Sequence, residues 1–302
     1  MARFTDKQTG YLGAVGCNLI WGVAPMYFAW LVAFPMVEIV AHRAFWAAVF
    51  LFVILVLSGG LRSLSAAVAS WPVFLALAAG AVLVTINWTA YLYAVETGQI
   101  AQSALGYFLY PLMVIGLSVT VLGEKLSARS WAALACAAAG VAVKAAMLDG
   151  FPWVALIIGA SFAVYALIRK RLAMDPFAAM VAELLMIAPF ACAVIIWVTA
   201  TTKAEGASFL LDGTAYGAAM ALSSGVVTSA PLVLFHIGNR YLPLSVAGFM
   251  FYINPSLQLL LSLFVFSEPF TGVDMAAFAL IWLALILHLA PAGRSAPPNK
   301  SC

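Results

Sequence analysis

Four ionisable residues stand inside or at the edge of long apolar runs in this sequence: Glu38, His42, Arg43 and Glu183. A charge at the centre of a hydrocarbon layer costs at least ~2.5–3.5 kcal/mol, so such residues usually pair with one another or line water. Glu38 and His42 suit interfacial solvation, whereas Arg43 and Glu183 suit an interior role, and all four are expected in the outer half of the layer. If Arg43 pairs with Glu183, the acid stays ionised and the pair is structural. If a solute cavity separates them, Glu183 can take a proton when the cavity is empty and release it when a cationic group binds, which is the chemistry of proton-coupled exchange.

Neutral polar and aromatic residues recur at helical spacing in the same runs. Asn18, Trp21 and Pro25, with Phe28 above, share one face, as do Asn87 with Tyr91, Ser103 with Tyr107 and Tyr110, Ser224 with Thr228 and Pro231, and Ser245 with Gly248 and Tyr252. Lipid-facing positions need none of these groups, so the faces suggest a central amphipathic cavity for an aromatic or partly apolar solute. The alternative is hydrogen bonding between helices plus interfacial aromatic belts. The expected binding set is Asn18, Trp21, Arg43, Asn87, Tyr91, Tyr107, Tyr110, Glu183, Thr228 and Tyr252. Pro25, Pro111, Pro231 and Pro255 are the expected kinks or gates, because proline frees the carbonyl four residues back. His236, Arg240 and His288 end apolar runs and are assigned to the interface.

No H-E-x-x-H, G-x-S-x-G or Walker A motif occurs, and Cys17, Cys136, Cys192 and Cys302 have no metal-like spacing. No catalytic residue, metal or cofactor is expected. The elements that must position the polar faces follow from composition: 66% of residues are hydrophobic, 8% are charged, and mean hydropathy is +1.09. So little charge could not cover a water-facing surface, and the solvent that fits is lipid. A net charge of +3 with no basic patch gives no reason to expect nucleic acid as a partner.

Apolar runs long enough to cross hydrocarbon lie near 11–31, 39–57, 72–94, 101–121, 130–147, 152–168, 178–198, 215–236, 245–265 and 273–290. The first, with Asn18 and Pro25 and no clear cleavage site, reads as a membrane helix rather than a signal peptide. With the N-terminus inside, Arg3, Lys7, Arg62, Lys125, Arg129, Arg169, Lys170, Arg171, Arg240, Arg294 and Lys300 all fall on the cytoplasmic side. Only Arg43, Lys144 and Lys203 fall outside or near the outer face, a strong positive-inside bias. Both termini are therefore expected in the cytoplasm, with connections 58–71 and 199–214 too short for a soluble domain and a disordered tail over 291–302.

The halves resemble each other. Residues 107–124, YFLYPLMVIGLSVTVLGE, and 251–268, FYINPSLQLLLSLFVFSE, share an aromatic pair, a proline and a glutamate, with Pro111 and Pro255, and likewise Glu124 and Glu268, 144 residues apart. Repeats of five helices, an odd number, must be inverted, and the basic residues beside Glu124 but not beside Glu268 agree. The expected organisation is two inverted five-helix repeats, 8–147 and 152–290. The small-residue run 132–140 packs inside the fold or forms a homodimer seam.

The segments NLIWGVAPMYF (18–28), EIVAHRAFW (38–46), INWTAYLYAVETGQIAQSALGYFLYPL (86–112), GEKL (123–126), SFAVYALIRK (161–170) and FYINPSL (251–257) resemble the RarD (chloramphenicol-sensitivity) proteins. These are EamA-type members of the drug/metabolite transporter superfamily, and the resemblance runs from about residue 8 to residue 290. It implies ten helices in two inverted repeats, a central cavity and a bacterial inner membrane, in a family whose relatives export amino acids or metabolites. It marks Trp21, Pro25, His42, Arg43, Asn87, Trp88, Gly106, Tyr107, Pro111, Glu124 and Pro255 as family-pattern positions, while Tyr110 stands where the pattern has Asn. The expected function is secondary transport of a small solute, as exporter or exchanger. The rival readings are a membrane enzyme acting on a lipid carrier, which needs a polar cluster at one membrane face, and a scaffold, which needs no cavity.

Overall fold

Each of the ten apolar runs is helical, and polar residues at the ends set where several of the helices start. The computed structural model describes residues 5–31, 34–97, 99–148, 150–172, 174–201, 215–265 and 271–289. Helix α1 (Asp6–Ala29) opens on a capping box, in which Thr5 accepts from the Gln8 amide at 3.3 Å and Gln8 accepts from the Thr5 amide at 2.9 Å. After α2 (Met36–Leu57) the chain turns at Gly59, whose φ of 75° is costly for a residue bearing a Cβ. It then forms a short helix that the sequence reading leaves as a connection, α3 (Leu61–Ala69). Leu64 of α3 packs beside buried residues of the neighbouring helices, which is a tertiary reason for that helix.

Helices α4 (Trp71–Glu96), α5 (Ile100–Leu122), α6 (Ala128–Ala145) and α7 (Trp153–Arg171) follow. Ser127 caps α6 by accepting from the Ser130 amide at 3.1 Å. Asp175 caps α8 (Pro176–Thr201) by accepting from the amides of Phe177 and Ala178 at 3.0 and 2.9 Å. Then come α9 (Ala215–Tyr241), α10 (Leu244–Met250), α11 (Ile253–Phe264) and α12 (Gly272–Leu289). No strand occurs among the described residues. Eight segments, with α10 and α11 joined as one, are long and apolar enough to cross a bilayer; α1 and α6 fall outside that set. The protein is all-α and membrane-embedded. Residues 202–214, Glu268 and the tail 291–302 lie outside the described residues.

The matched prolines have different local outcomes. Pro111 sits within the continuous helix α5. Pro255 lies just after a break between α10 and α11, at Phe251 and Tyr252. Lacking an N–H, Pro255 cannot donate to the Phe251 carbonyl, and the Asn254 amide takes that carbonyl one residue early, at 3.1 Å.

The helices pack as α1 on α9 and α11, α5 on α7 and α10, α4 on α7 and α8, α2 on α8 and α9, and α6 on α12. Two of these seams depend on bare backbone. A Cβ on Gly225 of α9 would lie 2.6 Å from the carbonyl carbon of Trp46 on α2, and one on Gly13 of α1 would lie 2.6 Å from the Leu234 carbonyl oxygen on α9. The small-residue run of α6 is used inside the fold, with Ala133, Ala137 and Gly140 buried and Gly140 against the Ala277 carbonyl of α12.

Candidate functional site

A cavity of about 240 Å³ lies among α1, α2, α4, α5, α7, α9 and α11. Its residues come from the second half of α1 and α4, the first half of α2 and α5, and the middle of α7 and α9, so it sits toward one end of the bundle. Arg43 is its dominant polar feature. The Arg43 Nε–H donates to Thr228 Oγ1 at 2.9 Å, and its guanidinium carbon stands 4.7 Å from the Phe28 ring centre and 5.8 Å from that of Trp88. A hydroxyl and two aromatic faces thus hold the guanidinium plane, and cation–π attraction offsets part of its desolvation.

Around Arg43 the wall is amphipathic. Tyr91 and Tyr107 face each other with ring centres 6.2 Å apart. Asn87 is tied to α7, donating from Nδ2 to the Ile158 carbonyl at 2.8 Å. Gly106 makes that approach of α5 to α7 possible, since a Cβ there would lie 2.8 Å from the Ile158 Cβ. Trp21, Phe162 and Phe251 line the cavity and also pack onto buried aromatics: Tyr110 lies 4.4 Å from Phe251 and Phe235 stacks 5.0 Å from Phe162. This aromatic layer lies between the cavity and the second half of α9.

Of the expected binding set, the structure brings Trp21, Arg43, Asn87, Tyr91, Tyr107 and Thr228 to one cavity, together with Pro25. It does not bring Asn18, Tyr110, Glu183 or Tyr252 there. Asn18 is buried and donates from Nδ2 to the Ala14 carbonyl at 2.7 Å, one turn back in its own helix. Tyr110 is completely buried beneath the cavity, because three residues on from Tyr107 the helix has turned about 60° short of a full circle. Tyr252 donates from its hydroxyl to the Phe108 carbonyl at 3.4 Å across the α5 seam. Pro111, Pro231 and Pro255 are buried and do not line the cavity.

Glu183 does not share an end of the bundle with Arg43, although the sequence places both in one half. It lies in the second turn of α8 against the last turns of α7, the end of the bundle that carries Arg169, Lys170 and Arg171. There the Glu183 carboxylate accepts from the Tyr165 hydroxyl at 2.9 Å and is ion-paired with Arg169 at 3.5 Å. Tyr165 also meets His236 Nε2 at 2.8 Å, so His236 is a buried member of this cluster rather than an interfacial residue. Thr228 and His236 are eight residues apart on α9, about 12 Å along the axis, so cavity and cluster are separate.

Asn254 and Gln258 of α11 also line the cavity, with Gln258 Nε2 donating to Asn254 Oδ1 at 2.7 Å. Neither belongs to the expected binding set. Their i, i+4 spacing in an otherwise apolar run is the same signal that marks Asn87 with Tyr91.

Long apolar helices around a solute-sized, charge-bearing cavity define a polytopic membrane protein with an internal cavity. The EamA-like transporter family matches residues 8–145. An uncharacterized transporter of Pseudomonas aeruginosa is 34% identical over 96% of this chain and 96% of its own length. Protein RarD of Salmonella typhi is 34% identical over 94% of this chain and 96% of its own, and protein RarD of Escherichia coli K12 is 32% identical over 94% and 95%. A solved crystal structure, 19% identical, superposes with a TM-score of 0.71 over 95% of this chain and 97% of that one, which shows the shared fold. The chain belongs to the RarD proteins of the EamA-type transporter family. It is a membrane transporter of the drug/metabolite superfamily and a multi-pass protein of the bacterial inner membrane.

Proposed function

We propose that this protein is a secondary transporter that exports or exchanges a small, partly apolar solute by alternating access. The observation that carries this reading is the cavity that holds Arg43 among aromatic rings, far from the Glu183–Arg169 cluster. An enzyme acting on a lipid carrier would place its polar groups at a membrane face open to lipid, and a scaffold has no use for a buried cation. On this reading the conformation is outward-facing, supported by the cavity residues lying at the end of the bundle opposite Arg169, Lys170 and Arg171, with the aromatic layer under Trp21 and Phe251 between them.

The finer architecture belongs to the same proposal. Helices α1 and α6 also cross the bilayer, giving ten spans as two inverted repeats, 8–147 and 152–290, with both termini in the cytoplasm. Three features support this. Helix α1, at 24 residues, extends about 36 Å. The packing pattern is preserved when the two sets of five spans are exchanged: α1 on α9 answers α7 on α4, α1 on α11 answers α7 on α5, and α2 on α9 answers α8 on α4. Tyr252 reaches Phe108, the residue 144 positions earlier, as equivalent positions beside a two-fold axis would.

The test is access. Ser103→Cys, on a Cys-free background, places a thiol in the cavity wall. A membrane-impermeant maleimide should label it in both right-side-out and inside-out vesicles. Labelling from one side only, under every solute and pH condition, contradicts alternating access.

A further inference from the structure

We propose that the solute carried in this cavity is a small monocarboxylate with an apolar, preferably planar, body, and that Arg43 is the group that holds its carboxylate. The proposal rests on the transporter reading and narrows it to a substrate class.

The charge balance of the site carries the inference. Arg43 is the one charged residue among those described as lining the cavity; no aspartate or glutamate faces it there. Four other described acids are engaged elsewhere. Glu183 is with Arg169, Asp274 is with Lys144, Asp175 caps α8, and Glu124 accepts from the amides of Leu244 and Ser245. Glu38, one turn before His42, lies 3.5 Å from that imidazole and does not line the cavity. A guanidinium kept in the membrane interior without a protein counter-ion is stabilised when an anion enters.

The geometry selects the kind of anion. The Arg43 Nε–H is committed to Thr228, and Phe28 and Trp88 fix the plane of the guanidinium. Among the described residues the two Nη nitrogens have no acceptor, and that edge presents parallel N–H donors that match a carboxylate's two oxygens. The aromatic wall of Trp21, Phe162 and Phe251 and the cavity volume of about 240 Å³ suit a single ring or a branched chain. An amino acid would bring an ammonium group for which the described lining offers no carboxylate. A deaminated acid matches the one fixed charge and leaves none over.

The experiment uses the full chain in lipid nanodiscs and a panel of acids, namely phenylacetate, indole-3-acetate and 3-methylbutanoate. Each is paired with its primary amide, and phenylacetate also with phenylalanine. Binding is read as a concentration-dependent rise in melting temperature, since a ligand stabilises the state it occupies. The expected result is that each acid binds at least tenfold more tightly than its amide and that phenylacetate outbinds phenylalanine. Arg43→Gln should erase the acid-over-amide ratio, and Arg43→Lys should keep part of it. Equal binding of acid and amide, tighter binding of phenylalanine, or a ratio that survives in Arg43→Gln overturns the proposal. The acid–amide comparison in the native protein decides even if the Arg43 variants fail to fold. If no panel member binds while Ser103→Cys is labelled from both sides, the substrate class is wrong and the transporter reading stands. If the acids bind with the expected ratio while Ser103→Cys is labelled from one side only, the binding site is right and the transport reading fails.

Discussion

Glu183→Gln removes a charge and almost nothing else, so it measures what that buried acid does. The native carboxylate is 1% exposed, accepts from the Tyr165 hydroxyl at 2.9 Å and faces the Arg169 guanidinium at 3.5 Å. Glutamine preserves the shape and can still accept from Tyr165, but it leaves the Arg169 charge without its counter-ion. Removing one partner of a buried ion pair costs about 3–5 kcal/mol. The lower end applies here, because Arg169 keeps its bond to the Pro176 carbonyl at 2.9 Å and its contact with His236 at 3.4 Å. A loss of about 3 kcal/mol is roughly a hundredfold shift in the folding equilibrium. The assay is reversible unfolding in mixed micelles, followed by tryptophan fluorescence and helical circular dichroism. The double variant Glu183→Gln with Arg169→Met removes both charges and should recover most of the loss, as apolar replacement of whole buried pairs often does. A single variant within about 0.5 kcal/mol of the native protein, the range of an inert site, would refute the structural assignment. If that stable variant also lost the pH dependence of transport, Glu183 would be a proton carrier, the role the sequence left open for it.

Three further outcomes test the architecture. Gly225→Ala should destabilise by about 1–3 kcal/mol in the same assay, because its Cβ would meet the Trp46 backbone and force α2 from α9. Wild-type stability would mean the seam is looser than described. Glu124→Ala should cost about 2 kcal/mol and speed amide exchange at Leu244 and Ser245, since the carboxylate accepts from both amides and from the Ser245 hydroxyl. Unchanged exchange at those amides would contradict the cap. Single cysteines at Trp30 and Arg62, both exposed and at opposite ends of α2, should be labelled from the periplasmic and cytoplasmic sides respectively. Labelling of both from one side would break the inside-out order assigned to the first helices.

Much of the fold was legible in the sequence because hydrocarbon leaves few choices. A bilayer demands backbone hydrogen bonds satisfied within each segment, so runs such as 39–57 and 178–198 could only be helices, and they appear as Met36–Leu57 and Pro176–Thr201. Their ends were written locally, in Thr5 with Gln8, in Ser127 and in Asp175. Helix α3 was not legible, since nine residues with Arg62 among them carry no span signal and depend on contacts made elsewhere. The unlike outcomes at Pro111 and Pro255 were hidden too, since both stand in the same motif and only the backbone around each decides between a continuous helix and a break.

The site divides along the same line. Residue type and helical spacing alone assigned Trp21, Arg43, Asn87, Tyr91, Tyr107 and Thr228 to one cavity, because a polar or aromatic stripe on a membrane helix must face protein or water. Spacing cannot say which neighbour a stripe meets. Tyr110 and Tyr107 are a near turn apart on α5, yet one fills the aromatic layer and the other the wall, according to where α7 and α10 cross. The sequence left open whether Glu183 and Arg43 pair, because both are rare charges in apolar runs. Only the packing of α7, α8 and α9 together brings Arg169, Tyr165 and His236 to Glu183 and leaves Arg43 in a separate cavity. The partner of Glu183 stands on the preceding helix, and which of several ionisable residues an acid meets depends on how helices turn and pack, a property of the folded chain.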